Sequence, residues 1–177
     1  GRGYEGFMMD RAVAERVRAS ARQIEKRLNI KNEPIDVDSS GMLLALAYPD
    51  RIGKKREGSA GKFLLASGRG AYFKGPDPLG QSSYIVAASL DGSDRDSRVF
   101  IAAPVEEAEL ERDFAADIEE AEKIEWDESI KGVASLRLRK LWSLTLFEGR
   151  LADPPPEKVL AAFIHGVRKS GLKALPW

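Results

Sequence analysis

The spacing of apolar residues changes period several times along the chain, and each change marks an element. From Met9 to Leu28 the apolar positions Val13, Val17, Ala21, Ile24 and Leu28 are separated by steps of four, four, three and four. That is helical spacing with one narrow apolar stripe. The remaining faces carry Arg11, Arg16, Arg18, Arg22, Lys26 and Arg27 against Asp10, Glu15 and Glu25. A basic amphipathic helix of this kind either touches nucleic acid or a membrane surface, or presents a solvated face. Residues 1–6 read as a lead-in, and Asn29 to Asp38, polar and containing Pro34, as a linker. Ser39 or Ser40 is suited to cap the next helix. That helix runs from Met42 to Tyr48 and is stopped by Pro49. It is apolar on nearly every face, so it is predicted to be buried on all sides, against the rest of the chain or another one.

From Lys62 the period becomes two. Strands are predicted near Lys62–Ser67, Ala71–Lys74, Tyr84–Leu90 and Arg98–Ala102, joined by Ser67-Gly68, Gly75-Pro76-Asp77-Pro78 and Asp91-Gly92-Ser93-Asp94. Pro104 ends the fourth. Val105 to about Asp117 then reads as a helix, with Val105, Ala108, Phe114 and Ile118 on one side. Alternation returns at Lys123–Asp127, Val133–Arg139 and Leu141–Glu148. Asp153-Pro154-Pro155-Pro156 breaks the chain, with Asp153 as cap and proline in the first turn of a last helix. Its Val159, Leu160, Phe163, Ile164 and Val167 are predicted to face the core, and Gly171 ends it.

Seven short strands with one helix inserted between the fourth and fifth predict an α+β chain: a small closed antiparallel barrel, OB-like, with flanking N- and C-terminal helices. Closure also removes the exposed edges of such short strands. The expected organisation is a helical segment over 1–48, the barrel with its inserted acidic helix over 49–150, and a C-terminal helix with a truncated extension over 151–177.

Composition narrows the function. The 177 residues carry 28 basic and 28 acidic side chains, so only local patches can attract a polyanion. One patch stands out. Between Arg51 and Lys74 there are seven cations (Arg51, Lys54, Lys55, Arg56, Lys62, Arg69, Lys74) and the single acid Glu57. This stretch is either a solvated loop beside a strand or a surface facing phosphates. Tyr72 and Phe73 are adjacent in a strand and point to opposite faces, so at most one can stack on a base; Phe73 is assigned to the core and Tyr72 to the surface. Arg137, Arg139 and Lys140 form a second, weaker basic candidate. The stretch from Glu106 to Glu128 is the converse, with twelve acids against Arg112 and Lys123. Lacking histidine partners, those acids read as a solvated face rather than a metal site.

An ordered set of segments carries a family resemblance: LALAYPDRI, then basic residues, FLLASGRGA, YIVAASLDG at Tyr84–Gly92, IAAP at Ile101–Pro104 and GLKALPW at Gly171–Trp177. It resembles the region behind the motor domains of the bacterial ATP-dependent helicases of the HrpB family, which are DEAH-box-like, and spans nearly the whole chain. The resemblance implies that the first helix is a late helix of a helicase-associated bundle. It further implies that an OB-like barrel sits over motor domains of the same parent chain and contacts the 3′ part of a threaded single strand of RNA or DNA. ATP and Mg would belong to those motor domains, and the location would be cytoplasmic. The absence of an initiator Met and the apolar end at Trp177 read as a fragment of a larger protein.

The motor chemistry itself is missing from this sequence. No Gly-Lys-Ser or Gly-Lys-Thr occurs; Gly53-Lys54 and Gly61-Lys62 are followed by Lys55 and Phe63. Gly68-Arg69-Gly70 is too short for a dinucleotide loop and reads as a strand corner. There is no cysteine, and His165 is the only histidine, so neither a catalytic set nor a metal or cofactor site is expected here. No run of about 18 apolar residues is present for a membrane span, nor any signal-peptide pattern. Two functions remain: a non-catalytic helicase module binding single strands, or a protein-interaction domain that docks through the 42–48 helix and the acidic segment.

Overall fold

In a computed structural model of the chain, residues 11–29, 37–92 and 96–171 are described. The expected lead-in at 1–6, most of the 29–38 linker, half of the 91–94 turn and nearly all of GLKALPW lie outside them. Two compact units are present, Gly1–Val37 and Asp38–Trp177. In the first, helix α1 (Arg11–Leu28) forms as its spacing predicts, and Val17, Ile24 and Leu28 on its stripe are exposed.

The second unit begins with α2 (Ser40–Ala47), with Ser39 in the N-cap position and no side-chain cap bond. Then come β1 (Ile52–Lys55), β2 (Lys62–Leu65), β3 (Gly70–Tyr72), β4 (Tyr84–Leu90) and β5 (Asp96–Pro104). These five strands close into a barrel in the order β1-β2-β3-β5-β4, with β1 pairing back to β4. The barrel is OB-like but mixed rather than antiparallel, because β3 and β5 run parallel, with Gly70, Ala71 and Tyr72 opposite Asp96, Ser97 and Arg98. It also holds five strands, not seven. After α3 (Glu107–Asp113) and a single 3-10 turn (Ala115–Asp117), β6 (Ile118–Asp127), β7 (Gly132–Leu141) and β8 (Leu144–Arg150) form a separate three-stranded meander. Helix α4 (Pro156–Ser170) follows.

Three further expectations are corrected. The basic run is not all loop: Ile52–Lys55 is a strand, hydrogen-bonded on both sides. The helix after Pro104 is short, and its acidic continuation is strand from Ile118, not from Lys123. Those acids are tolerated in a strand because the facing strand is basic: Glu120 lies opposite Arg139 and Glu122 opposite Arg137. Finally, Leu141–Glu148 is broken by a turn at Trp142, whose φ of 51° is left-handed.

Strand parity sorts the side chains into two cores. Phe63, Leu65, Ala71, Ile85, Ala87 and Val99 point into the barrel. The opposite faces of β1 and β4, with Ile52, Tyr84 and Val86, are covered from outside by Met42 and Ala45 of α2, Leu110 and Phe114 around α3, and Leu141, Leu144 and Leu146 of the meander. Helix α2 is therefore buried on one face only; Leu43 and Leu46 are exposed. The same holds for α4. It starts after Pro155 rather than at Asp153 and buries Gly166 against the meander, while Leu160 and Ile164 stay exposed.

Candidate nucleic-acid interface

The meander and α2 cover the β1/β4 side as far as Leu64 of β2, and the outer face from Lys62 across β3 to β5 is left open. In β2 and β3, Phe63 and Ala71 turn inward, so Lys62 and Tyr72, which are register partners, turn outward together. In β5, Ser97 and Val99 are buried, which turns Asp96, Arg98 and Phe100 out beside them. Arg56, just after β1, reaches the same surface. Arg56, Lys62, Tyr72 and Asp96 line one hollow of about 300 Å³ floored by Phe63 and Ala71. Its geometry depends on Gly70: a Cβ there would fall on the Asp96 carboxylate and lie 3.2 Å from Arg56 Nη2. The missing side chain lets the carboxylate and the guanidinium approach over β3. Phe73 packs edge-on against Phe63 at 5.9 Å, leaving Tyr72 as the outward aromatic of the pair.

The other cations of the run are distributed differently. Lys55 reaches the Gln81 carbonyl at 3.2 Å. Arg69, exposed in the β2–β3 turn, lines a second hollow of about 200 Å³ with Arg51, Asp50 and Ser67. Arg51 is held by the Ala88 carbonyl at 3.1 Å and lies 4.7 Å over the Tyr48 ring. Lys74 is exposed beyond the end of β3. Lys54 shares the parity of Lys62 but lies on the covered side: its ammonium donates to the Thr145 carbonyl of β8 and sits 5.8 Å from the Tyr84 ring. Lys54 thus ties barrel to meander. Tyr84 is itself 1% exposed, and its hydroxyl is pushed above the usual tyrosine range by burial first and by the nearby Glu107 carboxylate second.

The second basic candidate is largely neutralised. Arg137 makes a two-oxygen contact with Glu120 at 2.7 and 2.8 Å, Arg139 meets Glu111 at 2.7 Å, and Lys140 is half-buried. His165 is exposed on α4, beside a groove it lines with Trp126 and Lys158. Sequence reasoning missed Arg98 and Phe100. The signal was available in the alternation Asp96-Ser97-Arg98-Val99-Phe100, but it acquires meaning only once the parallel pairing sets β5 beside Tyr72.

Comparison with known proteins adds kinship. Over 159 residues the chain is 30% identical to the ATP-dependent RNA helicase HrpB of Escherichia coli K12, a match covering 89% of this chain. The chain is similar to one region of HrpB. It spans only 20% of the length of that helicase. The fold agrees as well as the sequence. The E. coli DExH-box NTPase HrpB superposes with a TM-score of 0.64 at 30% identity over 90% of this chain and 20% of its own. A second structure, described as the E. coli DEAH/RHA helicase HrpB, gives 0.60 at 26% identity over 89% of this chain and 20% of its own. No family model matches the chain. The region shared with HrpB therefore includes the barrel. Among the described residues no helix is long and apolar enough to cross a membrane.

Proposed function

We propose that this chain is a non-catalytic accessory region of an ATP-dependent helicase and that the outer β2–β3 face of its barrel contacts single-stranded nucleic acid, RNA by analogy with HrpB. The observation that carries the reading is the shared hollow of Arg56, Lys62 and Tyr72, two cations and an aromatic on one open barrel face. In OB-folds that face and the neighbouring loops are where oligonucleotides bind. Lys55, Arg69 and Lys74 flank it as further phosphate contacts, while Arg51 and Lys54 act mainly within the protein. ATP and Mg belong to the motor domains of the parent chain, and the setting is cytoplasmic. Exposed Leu43 and Leu46 on α2, with Leu160 and Ile164 on α4, favour a second role beside the first: packing against those motor domains.

The test is binding of a fluorescent single-stranded RNA 12-mer across a salt series. The wild-type chain binds with a negative salt slope, and Arg56→Glu/Lys62→Glu abolishes binding while leaving the melting temperature unchanged. Wild-type affinity in the double variant, or no binding by the wild-type chain at low salt, refutes the reading.

A further inference from the structure

The outward residues of β5 were not part of the basic run, yet they continue the same surface. Arg98 is the register partner of Tyr72 across the parallel β3–β5 pair, so the two side chains stand side by side on the outer face. Two residues on, Phe100 projects from that face and is 54% exposed. The Arg98 guanidinium carbon lies 4.8 Å over the centroid of the Phe100 ring. Its Nε is buried without a hydrogen-bond acceptor, although a guanidinium ordinarily has several donors to satisfy.

Each feature has a cost when the protein stands alone. A buried donor without an acceptor is unfavourable, and a large ring in water gains nothing from burial. A flat, electron-rich ligand covers the ring and brings negative charge to the guanidinium beside it. A nucleobase stacks on the ring or on the guanidinium plane, and its carbonyl groups or the adjoining phosphate supply acceptors. An apolar protein partner would cover Phe100 but would bring no acceptor or negative charge to the Arg98 guanidinium over it. The charge around the site agrees, since Lys62 of β2 and Arg56, just after β1, share a hollow with Tyr72, the register partner of Arg98.

We infer that Arg98 and Phe100 form a base-stacking subsite for single-stranded nucleic acid, extending the track from β2 and β3 onto β5. This rests on the proposed function of the β2–β3 face. Phosphates follow Arg56 and Lys62, and a base turns onto the Arg98–Phe100 platform. Asp96, beside Arg56 in the hollow, keeps phosphate from crowding that end.

Two probes separate the subsite from the face that supports it: a single-stranded oligouridine 12-mer and an abasic 12-mer with the same ribose-phosphate chain. Phe100→Ala weakens oligouridine binding by about 5- to 150-fold, the range for losing one base stack, and leaves abasic binding unchanged. Phe100→Trp restores affinity and Phe100→Leu does not. Arg98→Ala weakens both probes. Phe100 is exposed, so its variants keep the wild-type melting temperature. If the wild-type chain binds oligouridine and Phe100→Ala binds it equally well, the subsite is overturned while the β2–β3 reading stands. If the wild-type chain binds neither probe, both fall.

Discussion

Lys54 and Lys62 belong to the same basic run and share strand parity, yet they should respond to mutation in opposite ways. Lys54→Met keeps most of the aliphatic stem and removes the ammonium. What is lost is the charge-assisted bond to the Thr145 carbonyl and the contact with the Tyr84 ring. Bonds of that type contribute about 1.5–3 kcal/mol and a cation over a ring about 0.5–1 kcal/mol; relief from desolvating the ammonium offsets part of this, leaving a loss of about 2 kcal/mol. For a unit of the size of Asp38–Trp177, that lowers the melting temperature by roughly 6 °C. Lys62, exposed on the outer face, should show the reverse. Its methionine variant melts as wild type but binds single-stranded RNA with a salt slope shallower by about 0.7, the value of one phosphate contact. Between 50 and 200 mM salt this shrinks the loss of affinity by about 2.5-fold. Differential scanning calorimetry and a salt titration of each variant suffice. The assignment is refuted if Lys54→Met melts normally and flattens the salt dependence.

Two other perturbations probe the frame that holds the face. In Gly166→Val the new side chain would fall on the Trp126 indole. Overpacking at such a contact costs about 1–3 kcal/mol, more than the small helix-propensity gain over glycine; urea unfolding should show a lower midpoint and tryptophan emission a red shift. Tyr84 supplies a pH dependence. Its hydroxyl holds its proton more tightly folded than unfolded, because burial and the Glu107 carboxylate oppose the phenolate. The stabilisation is complete below the unfolded value of about 10 and is lost as pH rises from there through the folded value. Tyr84→Phe should therefore flatten the alkaline decline in stability measured by urea unfolding above about pH 10.

Much of the fold is readable from the chain, and the parts that are not have a common cause. Phe63 and Leu65, or Tyr84 through Val86, announce strands locally, as Val17 and Ile24 announce a helix. β1 does not: Ile-Gly-Lys-Lys has one large apolar residue and becomes a strand only because β2 and β4 flank it on both sides. Barrel closure is hidden for the same reason, since Tyr72 and Arg98 are distant in sequence and pair in parallel. The acidic start of β6 carries no strand signal until the arginines of β7 are placed across from it. At the candidate site the cations themselves are visible in the sequence, and Tyr72 and Phe73 turn to different sides as strand alternation requires. Which cations face solvent is not visible there, because β8 covers Lys54 through packing that no local pattern encodes.

The most direct test of the central claim is photo-crosslinking of the wild-type chain to a 4-thiouridine-labelled single-stranded RNA, followed by mass spectrometry of the adducts. The account predicts crosslinks concentrated on the outer barrel face, at Tyr72 and its neighbours on β2, β3 and β5, and lost at high salt. Adducts confined to α4 and the β6–β8 sheet, with none on that face, would contradict it.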